Sequence, residues 1–165
     1  MRMQLQNTKT IFNVLAVAPA AASAGLASCS KDKDDPAPKT KTELLTAKRW
    51  RVTADVATGL VNSTPVTVDI YATDYQECEK DDFVKFETDK EVKFDEGDTL
   101  CSTTGPQFEA GTWEWNIDQN AFFISTNRDV KRFDVVELTE TSLVLITYFD
   151  EDGIEYTERI TYTAF

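Results

Sequence analysis

Three cysteines, Cys29, Cys78 and Cys101, carry the most specific chemistry in this sequence. An odd number of thiols in an exported protein requires an explanation, because oxidising compartments join cysteines in pairs. If Cys29 is modified, the other two cysteines remain as a pair. The sequence therefore favours one modified cysteine near the amino terminus and one disulfide in the body of the protein.

The residues around Cys29 favour its lipidation. Arg2 and Lys9 frame a short basic start, and a moderately apolar, alanine-rich stretch follows and ends in Leu26-Ala27-Ser28-Cys29. This layout is typical of a secretory signal, because a spanning helix needs about 20 strongly apolar residues. Its last four residues resemble the lipobox of bacterial lipoproteins, which implies cleavage before Cys29 and several acyl chains on its thiol. The alternative is an ordinary signal cut at Ala22-Ser23-Ala24.

Three segments follow from this interpretation. We expect a signal peptide at residues 1–28, the lipidated Cys29 with a flexible charged tether at residues 29–41, and a folded domain at residues 42–165. The tether has two prolines and no large apolar side chain, so it cannot bury a core. Its Lys31–Asp35 run resembles the charged export signal of surface-displayed lipoproteins in one Gram-negative phylum. That resemblance implies an outer-membrane lipoprotein exposed on the cell surface, with the periplasmic face as the alternative.

Composition argues against several function classes. The chain has 29 acidic and 17 basic residues, so nucleic acid is not an expected partner. It has no histidine, which removes Ser-His-Asp and Cys-His catalysis and imidazole metal sites. Acidic clusters at Glu77–Asp82 and Asp150–Asp152 fit solvated loops better than glycoside chemistry, and neither Asp95–Asp98 nor Asp150–Gly153 has the spacing of a calcium-binding EF-hand. We expect no enzyme, no cofactor and no bound metal.

The sequence after position 48 predicts strands. Short runs rich in Val, Ile, Thr, Phe, Tyr and Trp alternate with turn residues every 8–12 positions or so, and no segment keeps a helical period over helix length. This pattern is typical of an antiparallel sandwich or barrel. The predicted strands are 49–54, 66–72, 82–87, 91–95, 110–117, 121–126, 132–138, 142–149 and 154–163.

Three hairpins have a testable register, because residues opposite each other must face the same side of a sheet. The predicted pairs are Val84–Phe94 and Phe86–Val92 in the first hairpin, Trp113–Thr126, Trp115–Ile124 and Ile117–Phe122 in the second, and Val136–Leu145 and Leu138–Leu143 in the third. The third hairpin then has a second apolar face, which a partner or the N-terminal leucines must cover. That second face comprises Phe133, Val135, Ile146 and Tyr148, and its expected cover comprises Leu44, Leu45 and residues 60–61.

The first hairpin also places the two body cysteines. Its register puts Cys78 opposite Leu100, one position from Cys101, so a single bulge brings the two thiols together. We expect a disulfide between Cys78 and Cys101, with two reduced thiols as the alternative. Two thiolates without a third ligand make a poor zinc site.

The order of these residues resembles a known family. Leu44–Thr53 opens the domain, and Cys78–Phe83, Phe86–Asp89, Cys101, Gly111–Trp113 and Val136–Leu145 follow. This order resembles the small lipocalin-like domains of bacterial outer-membrane lipoproteins, over about residues 42–163. The resemblance implies an all-β fold: a single antiparallel up-and-down barrel of about eight strands, with Trp50 closing one end. The family often has Gly where this chain has Ala47 and Lys90, so we expect Lys90 in a left-handed conformation.

An eight-stranded barrel holds one small ligand or fills itself with side chains, and the sequence leaves both open. In the first case the protein binds a small hydrophobic molecule without catalysis, and aromatic residues line the site. The expected lining comprises Trp50, Phe86, Phe94, Trp113, Trp115, Phe122 and Tyr156. In the second case it is a structural or interaction module that binds a protein or glycan through the outer face of strands 132–149.

Overall fold

The computed structural model describes residues 37–165, and the fold is all-β with two short helices. The expected signal peptide, Cys29 and the tether up to residue 36 lie outside the described residues. Within residues 37–165, neither α-helix has the length and apolarity needed to cross a bilayer. In chain order the elements are α1 (Lys41–Ala47), β1 (Arg49–Val61), β2 (Thr64–Asp69), α2 (Ile70–Thr73), a 3₁₀ helix (Glu77–Glu79), β3 (Phe83–Phe86), β4 (Glu91–Asp95), β5 (Phe108–Trp115), β6 (Ala121–Ser125), β7 (Val130–Leu138), β8 (Ser142–Glu151) and β9 (Ile154–Ala164).

Eight strands close into an antiparallel barrel. Each strand from β3 to β8 pairs with the one that follows it, and β1 pairs with both β3 and β9. This closure confirms the up-and-down barrel of about eight strands. Strand β2 pairs with β1 alone and lies outside the closed ring. The hairpin between them turns at Asn62 and Ser63, which both have positive φ, at 50° and 65°. Two such residues are typical of the tight turn that suits the twist of paired strands.

Strand β1 carries a bulge that changes which residues face inward. Its register against β9 shifts between Val52 and Ala54. Trp50, before the bulge, is 0% exposed, and Asp55, after it, is 2% exposed. A bulge inserts one extra residue and so reverses the alternation of faces. An acidic side chain therefore enters the barrel interior.

The sequence predicted a strand over residues 66–72, and this prediction is wrong for residues 70–72. Strand β2 ends at Asp69, and residues 70–73 form α2. The Asp69 side chain accepts a hydrogen bond from the backbone N–H of Ala72 at 3.0 Å, which caps the helix. The chain then turns back across the barrel rim instead of continuing the sheet.

The first predicted register is confirmed, and the second is wrong by two residues. Val84 pairs with Phe94, whereas Trp113 pairs with Ile124. The β5–β6 turn closes early because Oδ1 of Asn116 accepts hydrogen bonds from the backbone N–H groups of Asn120 and Ala121. Ile117 lies in this turn and is 99% exposed. The other pairs in these hairpins are Phe86–Val92 and Trp115–Phe122.

A second bulge changes the third hairpin. Leu138 pairs with Leu143 as predicted, but the register shifts between Val135 and Glu137, and Val136 is 52% exposed instead of facing Leu145. The prediction for Phe133 and Val135 is therefore wrong. Phe133 belongs to the buried core and Val135 packs against it, so neither contributes to an outer apolar face.

Helix α1 closes one end of the barrel. Leu45 on this helix is 0% exposed, and its carbonyl oxygen accepts a hydrogen bond from Nε1 of Trp50 at 2.9 Å. Nε1 of Trp115 donates to the hydroxyl group of Thr42 at 3.0 Å. The two indoles thus tie the helix to the sheet, and Trp50 lies at the closed end as expected.

The core above α1 is a cluster of aromatic rings. Trp113 packs edge-on against Phe86 and Trp115, with ring centroids 5.7 and 5.8 Å apart, and Phe122 packs edge-on against Phe86 at 5.3 Å. Edge-to-face contacts of this kind add to the stabilisation from buried apolar area. Lys90 has a φ of 77°, which confirms its left-handed conformation, and its Nζ lies 4.1 Å from the Trp113 ring centroid.

Candidate functional site

A cavity of about 500 Å³ opens at the barrel rim. This volume lies within the range of small-molecule sites, roughly 300–1,000 Å³. We call it the rim cavity. Its walls come from β1, β3, β4, β5 and β9 and from the connections that precede β3 and β5. The lining residues are Trp50, Val52, Asp74, Tyr75, Glu79, Asp82, Phe83, Val84, Phe94, Asp95, Glu96, Pro106, Phe108, Glu109 and Tyr162.

The barrel strands supply an apolar side of the rim cavity. Trp50 and Val84 are buried at 0% and 6% exposure, while Phe94 is 37% exposed. Because the indole N–H of Trp50 is already bonded to Leu45, the ring offers only apolar contact to a ligand. This side can hold a hydrophobic body but cannot orient it through hydrogen bonds from Trp50.

Another part of the rim-cavity lining is acidic. Burial, and then the nearby carboxylates of Glu96, Asp81 and Glu79, raise the pKa of Asp82 to about 6. Its buried Oδ1 accepts no hydrogen bond from residues 37–165. The acidic lining residues are Asp74, Glu79, Asp82, Asp95, Glu96 and Glu109.

A disulfide joins the two connections that build the acidic side. Cys78 and Cys101 are bonded, with their Cα atoms 5.2 Å apart, which confirms the predicted pair. The predicted position of the pair, opposite each other in an extended hairpin with one bulge, is wrong. Cys78 lies in the 3₁₀ helix and Cys101 in the β4–β5 connection. The bond therefore holds the rim loops together instead of bridging a ladder.

Asp81 holds the same loops by hydrogen bonds. Its Oδ2 accepts from the backbone N–H groups of Asp98 and Thr99 at 2.8 and 2.9 Å. Its carbonyl oxygen accepts from the guanidinium group of Arg51 on β1 at 2.9 Å. These contacts join the two rim connections to each other and to β1.

A buried carboxylate lies beside the rim cavity. Asp55 is 2% exposed, and its Oδ2 accepts a hydrogen bond from the hydroxyl group of Tyr75 at 3.2 Å. Burial, and then the negative charge of Glu158, raise the pKa of Asp55 to about 6. Glu158 in turn pairs with Lys131, at 3.2 Å between Nζ and Oε2. Burial and the charge of Asp55 raise the pKa of Tyr75 above its ordinary value.

Comparison with known proteins identifies the family. Residues 45–145, more than half of the chain, match the model of the lipocalin-like domain. The chain belongs to the lipocalin-like domain family. This confirms the resemblance noted in the sequence.

Two solved structures resemble this lipocalin-like protein. One is a complex of bovine odorant-binding protein with a selenium-containing odorant, with 14% identity, a TM-score of 0.43, and coverage of 81% of this chain and 77% of that chain. The other is a deswapped triple mutant of bovine odorant-binding protein, with 16% identity, a TM-score of 0.40 and 74% coverage of each chain. No curated protein matches the sequence.

The seven aromatic residues expected to line a ligand site occupy three places in this lipocalin-like domain. Trp50 and Phe94 line the rim cavity. Tyr156 stacks on Phe149, with ring centroids 5.1 Å apart, and lines a separate pocket of about 370 Å³. The remaining four pack in or against the aromatic core: Phe86, Trp113, Trp115 and Phe122.

Sequence reasoning missed the polar half of this site. Asp55 and Tyr75 lie 20 positions apart, the cluster with Asp82 was interpreted as a solvated loop, and the run with Glu96 as an acidic turn. The density of acidic residues around the two cysteines was the available signal. Among residues 37–165, no group of three or more Cys, Asp or Glu side chains is arranged to hold a metal ion.

Proposed function

We propose that this protein binds a small hydrophobic molecule in the rim cavity, without covalent chemistry. The observation that carries the proposal is a cavity of about 500 Å³ with the buried ring of Trp50 and the half-exposed ring of Phe94 in its lining. Removal of apolar ligand surface from water supplies roughly 25 cal/mol per Å², less the costs of ordering.

A titration with Nile red, a neutral apolar dye, tests this proposal. A lipidated protein would need detergent, and detergent competes for an apolar cavity. The titration therefore uses residues 29–165 with Cys29→Ser, a protein that has no lipid and retains every described residue. We expect enhanced dye emission and quenching of tryptophan fluorescence. The variant Phe94→Ala removes a phenyl ring from the lining and should weaken binding about 5- to 30-fold.

Tyr148→Ala is the matched control, because Tyr148 is 54% exposed and does not line the rim cavity. It should bind the dye like the parent protein. Absence of any response to neutral, cationic and anionic apolar probes would refute ligand binding. Equal losses in both variants would place the dye elsewhere.

We also propose that acyl chains on Cys29 hold the protein at the outer membrane of a Gram-negative bacterium, on the outer surface of the cell. The support is the Leu26–Cys29 sequence and the charged run after it. Expression of the full chain and of Cys29→Ser tests the anchor: the parent should fractionate with membranes and the variant should not. Protease treatment of intact cells then separates the surface from the periplasmic face, since only a surface protein is cleaved.

A further inference from the structure

The charge of the rim cavity is one-sided. Six acidic residues line it, and its described lining has no lysine or arginine. Within residues 37–165, Glu109 is the one member of this set that forms an ion pair, with the exposed guanidinium group of Arg128 at 3.2 Å. Arg51, which is not part of the lining, places a guanidinium group beside the set by donating to the carbonyl oxygen of Asp81. The lining itself therefore carries a net negative charge.

Asp82 is the acidic lining residue that most lacks a partner. Its Oδ1 is buried and accepts no hydrogen bond within residues 37–165, while Glu79, Asp95 and Glu96 lie close enough to raise its pKa. Asp82 as a whole is partly exposed, but a carboxylate oxygen shielded from water is unfavourable unless it meets a positive charge or a hydrogen-bond donor. A ligand that brings a positive charge or a hydrogen-bond donor would therefore bind favourably to Asp82.

Asp55 is a second acidic residue with one oxygen that no donor among the described residues reaches. It is 2% exposed, its Oδ1 accepts no hydrogen bond within residues 37–165, and Tyr75, which binds its other oxygen, lines the rim cavity. Tyr162 also lines the cavity, and burial, followed by the charges of Asp55 and Glu158, raises its pKa. The barrel interior beside the cavity is thus negative as well, with Lys131 as its counter-charge.

The apolar side suits a cation too. The rings of Trp50, Phe94 and Tyr162 line the cavity. Aromatic faces attract ammonium groups, and most strongly where water is excluded. An anionic amphiphile such as a fatty acid meets the same rings but is repelled by the carboxylates.

We infer that the ligand of the rim cavity is an amphiphilic cation, an amine or quaternary ammonium group held by Asp82 and its neighbouring carboxylates with an apolar body against Trp50, Val84 and Phe94. The inference rests on the proposed binding function and adds the class of ligand. It separates this cavity from a purely apolar one, which would not distinguish ligands by charge.

Three probes with the same ten-carbon tail test the inference: decyltrimethylammonium, 1-decanol and decanoate. Each probe is titrated against the complex of Nile red with the Cys29→Ser protein at pH 7.5, below the concentration at which the probe forms micelles, and the displacement of the dye gives its affinity. Because carboxylates attract the ammonium charge and repel a carboxylate, we expect the cation to bind at least about ten-fold tighter than the alcohol, and decanoate to bind weakest. Equal affinities for all three, or a preference for decanoate, would overturn the inference but leave ligand binding intact. Failure of all three, and of Nile red itself, would overturn the proposed function instead.

Two charge-removing variants locate the preference. Asp82→Asn should reduce the ratio of decyltrimethylammonium affinity to 1-decanol affinity about five- to ten-fold, since it removes a negative charge that attracts the quaternary ammonium group. Asp118→Asn is the control, because Asp118 lies exposed in the β5–β6 turn and carries the same charge. If Asp82→Asn does not fold, Glu96→Gln tests the same preference. An unchanged ratio of cation to alcohol affinity in the folded variant would overturn the assignment to this carboxylate cluster.

Discussion

The hydroxyl group of Tyr75 donates a hydrogen bond to Oδ2 of Asp55 across 3.2 Å. Tyr75 belongs to the connection that crosses the barrel rim, and Asp55 faces the interior from β1. The bond thus ties one wall of the rim cavity to the sheet. It is the hydrogen bond that the described structure provides to the most deeply buried carboxylate of the barrel.

Tyr75→Phe should destabilise the protein by about 1–3 kcal/mol, because it leaves a buried carboxylate without a donor. Urea unfolding at pH 7 measures this change. Tyr71→Phe is the matched control: its ring packs against that of Tyr75 at 5.1 Å, but the removed hydroxyl makes no side-chain hydrogen bond in the described structure. Similar stabilities for the two variants would show that the bond to Asp55 contributes nothing.

The stability of the protein should depend on the ionisation of Asp82. Its pKa in the folded state is about 6, raised from 3.8, by burial and then by the charges of Glu96, Asp81, Glu79 and Asp95. The folded state therefore binds more protons than the unfolded state between these values, and stability falls as pH rises from about 4 to about 6.

Asp82→Asn removes this dependence. Relative to the parent protein, the variant should gain stability as the pH rises from 4.5 to 7.5, since its amide never carries the unfavourable charge. Urea unfolding of both proteins at several pH values measures the difference, which cancels the contributions of other groups. A constant difference across the range would contradict the raised pKa of Asp82.

Reduction of the disulfide should loosen the rim more than the barrel. Replacing Cys78 and Cys101 by serine removes a cross-link that closes a loop of sequence separation 23, which should cost about 3 kcal/mol. Affinity for Nile red should fall as well, because the bond joins two walls of the rim cavity. Reductant should lower the melting temperature of the parent protein and leave the double variant unchanged; an effect on both would point to another cause.

Two phenylalanines that looked alike in the sequence should behave differently. Phe122 is 0% exposed in the aromatic core, and Phe122→Ala should destabilise the protein by about 3–5 kcal/mol. Phe94 is 37% exposed in the rim cavity, and Phe94→Ala should weaken ligand binding with a much smaller loss of stability. Urea unfolding and dye titration of both variants measure the contrast. Equal destabilisation would mean that Phe94 belongs to the core.

Strand class and one hairpin register could be predicted because both depend on local alternation. Val84 and Phe86 alternate with polar residues and meet Val92 and Phe94 across a short turn. The β5–β6 register could not, because a shift of two residues keeps the same faces together. The side-chain hydrogen bonds of Asn116, which close the turn early, decide between the two registers.

The candidate site was predictable only in part. Trp50 and Phe94 were expected in a ligand site because they are aromatic and face inward. Asp55 was not expected inside, since two strands must pair before a bulge in one of them appears. Nor could the sequence show that Asp82 and Glu96 meet at one rim, because they belong to separate connections.

The sequence by itself determined the all-β class, the pairing of its two body cysteines and the family, since these depend on residue types and their order. Only the tertiary structure decided where the space in the barrel lies and what charge surrounds it. The reason is physical: closure of β1 against β9 and the bulge in β1 determine which side chains fill the interior. The cavity is the remainder that this packing leaves against the acidic rim.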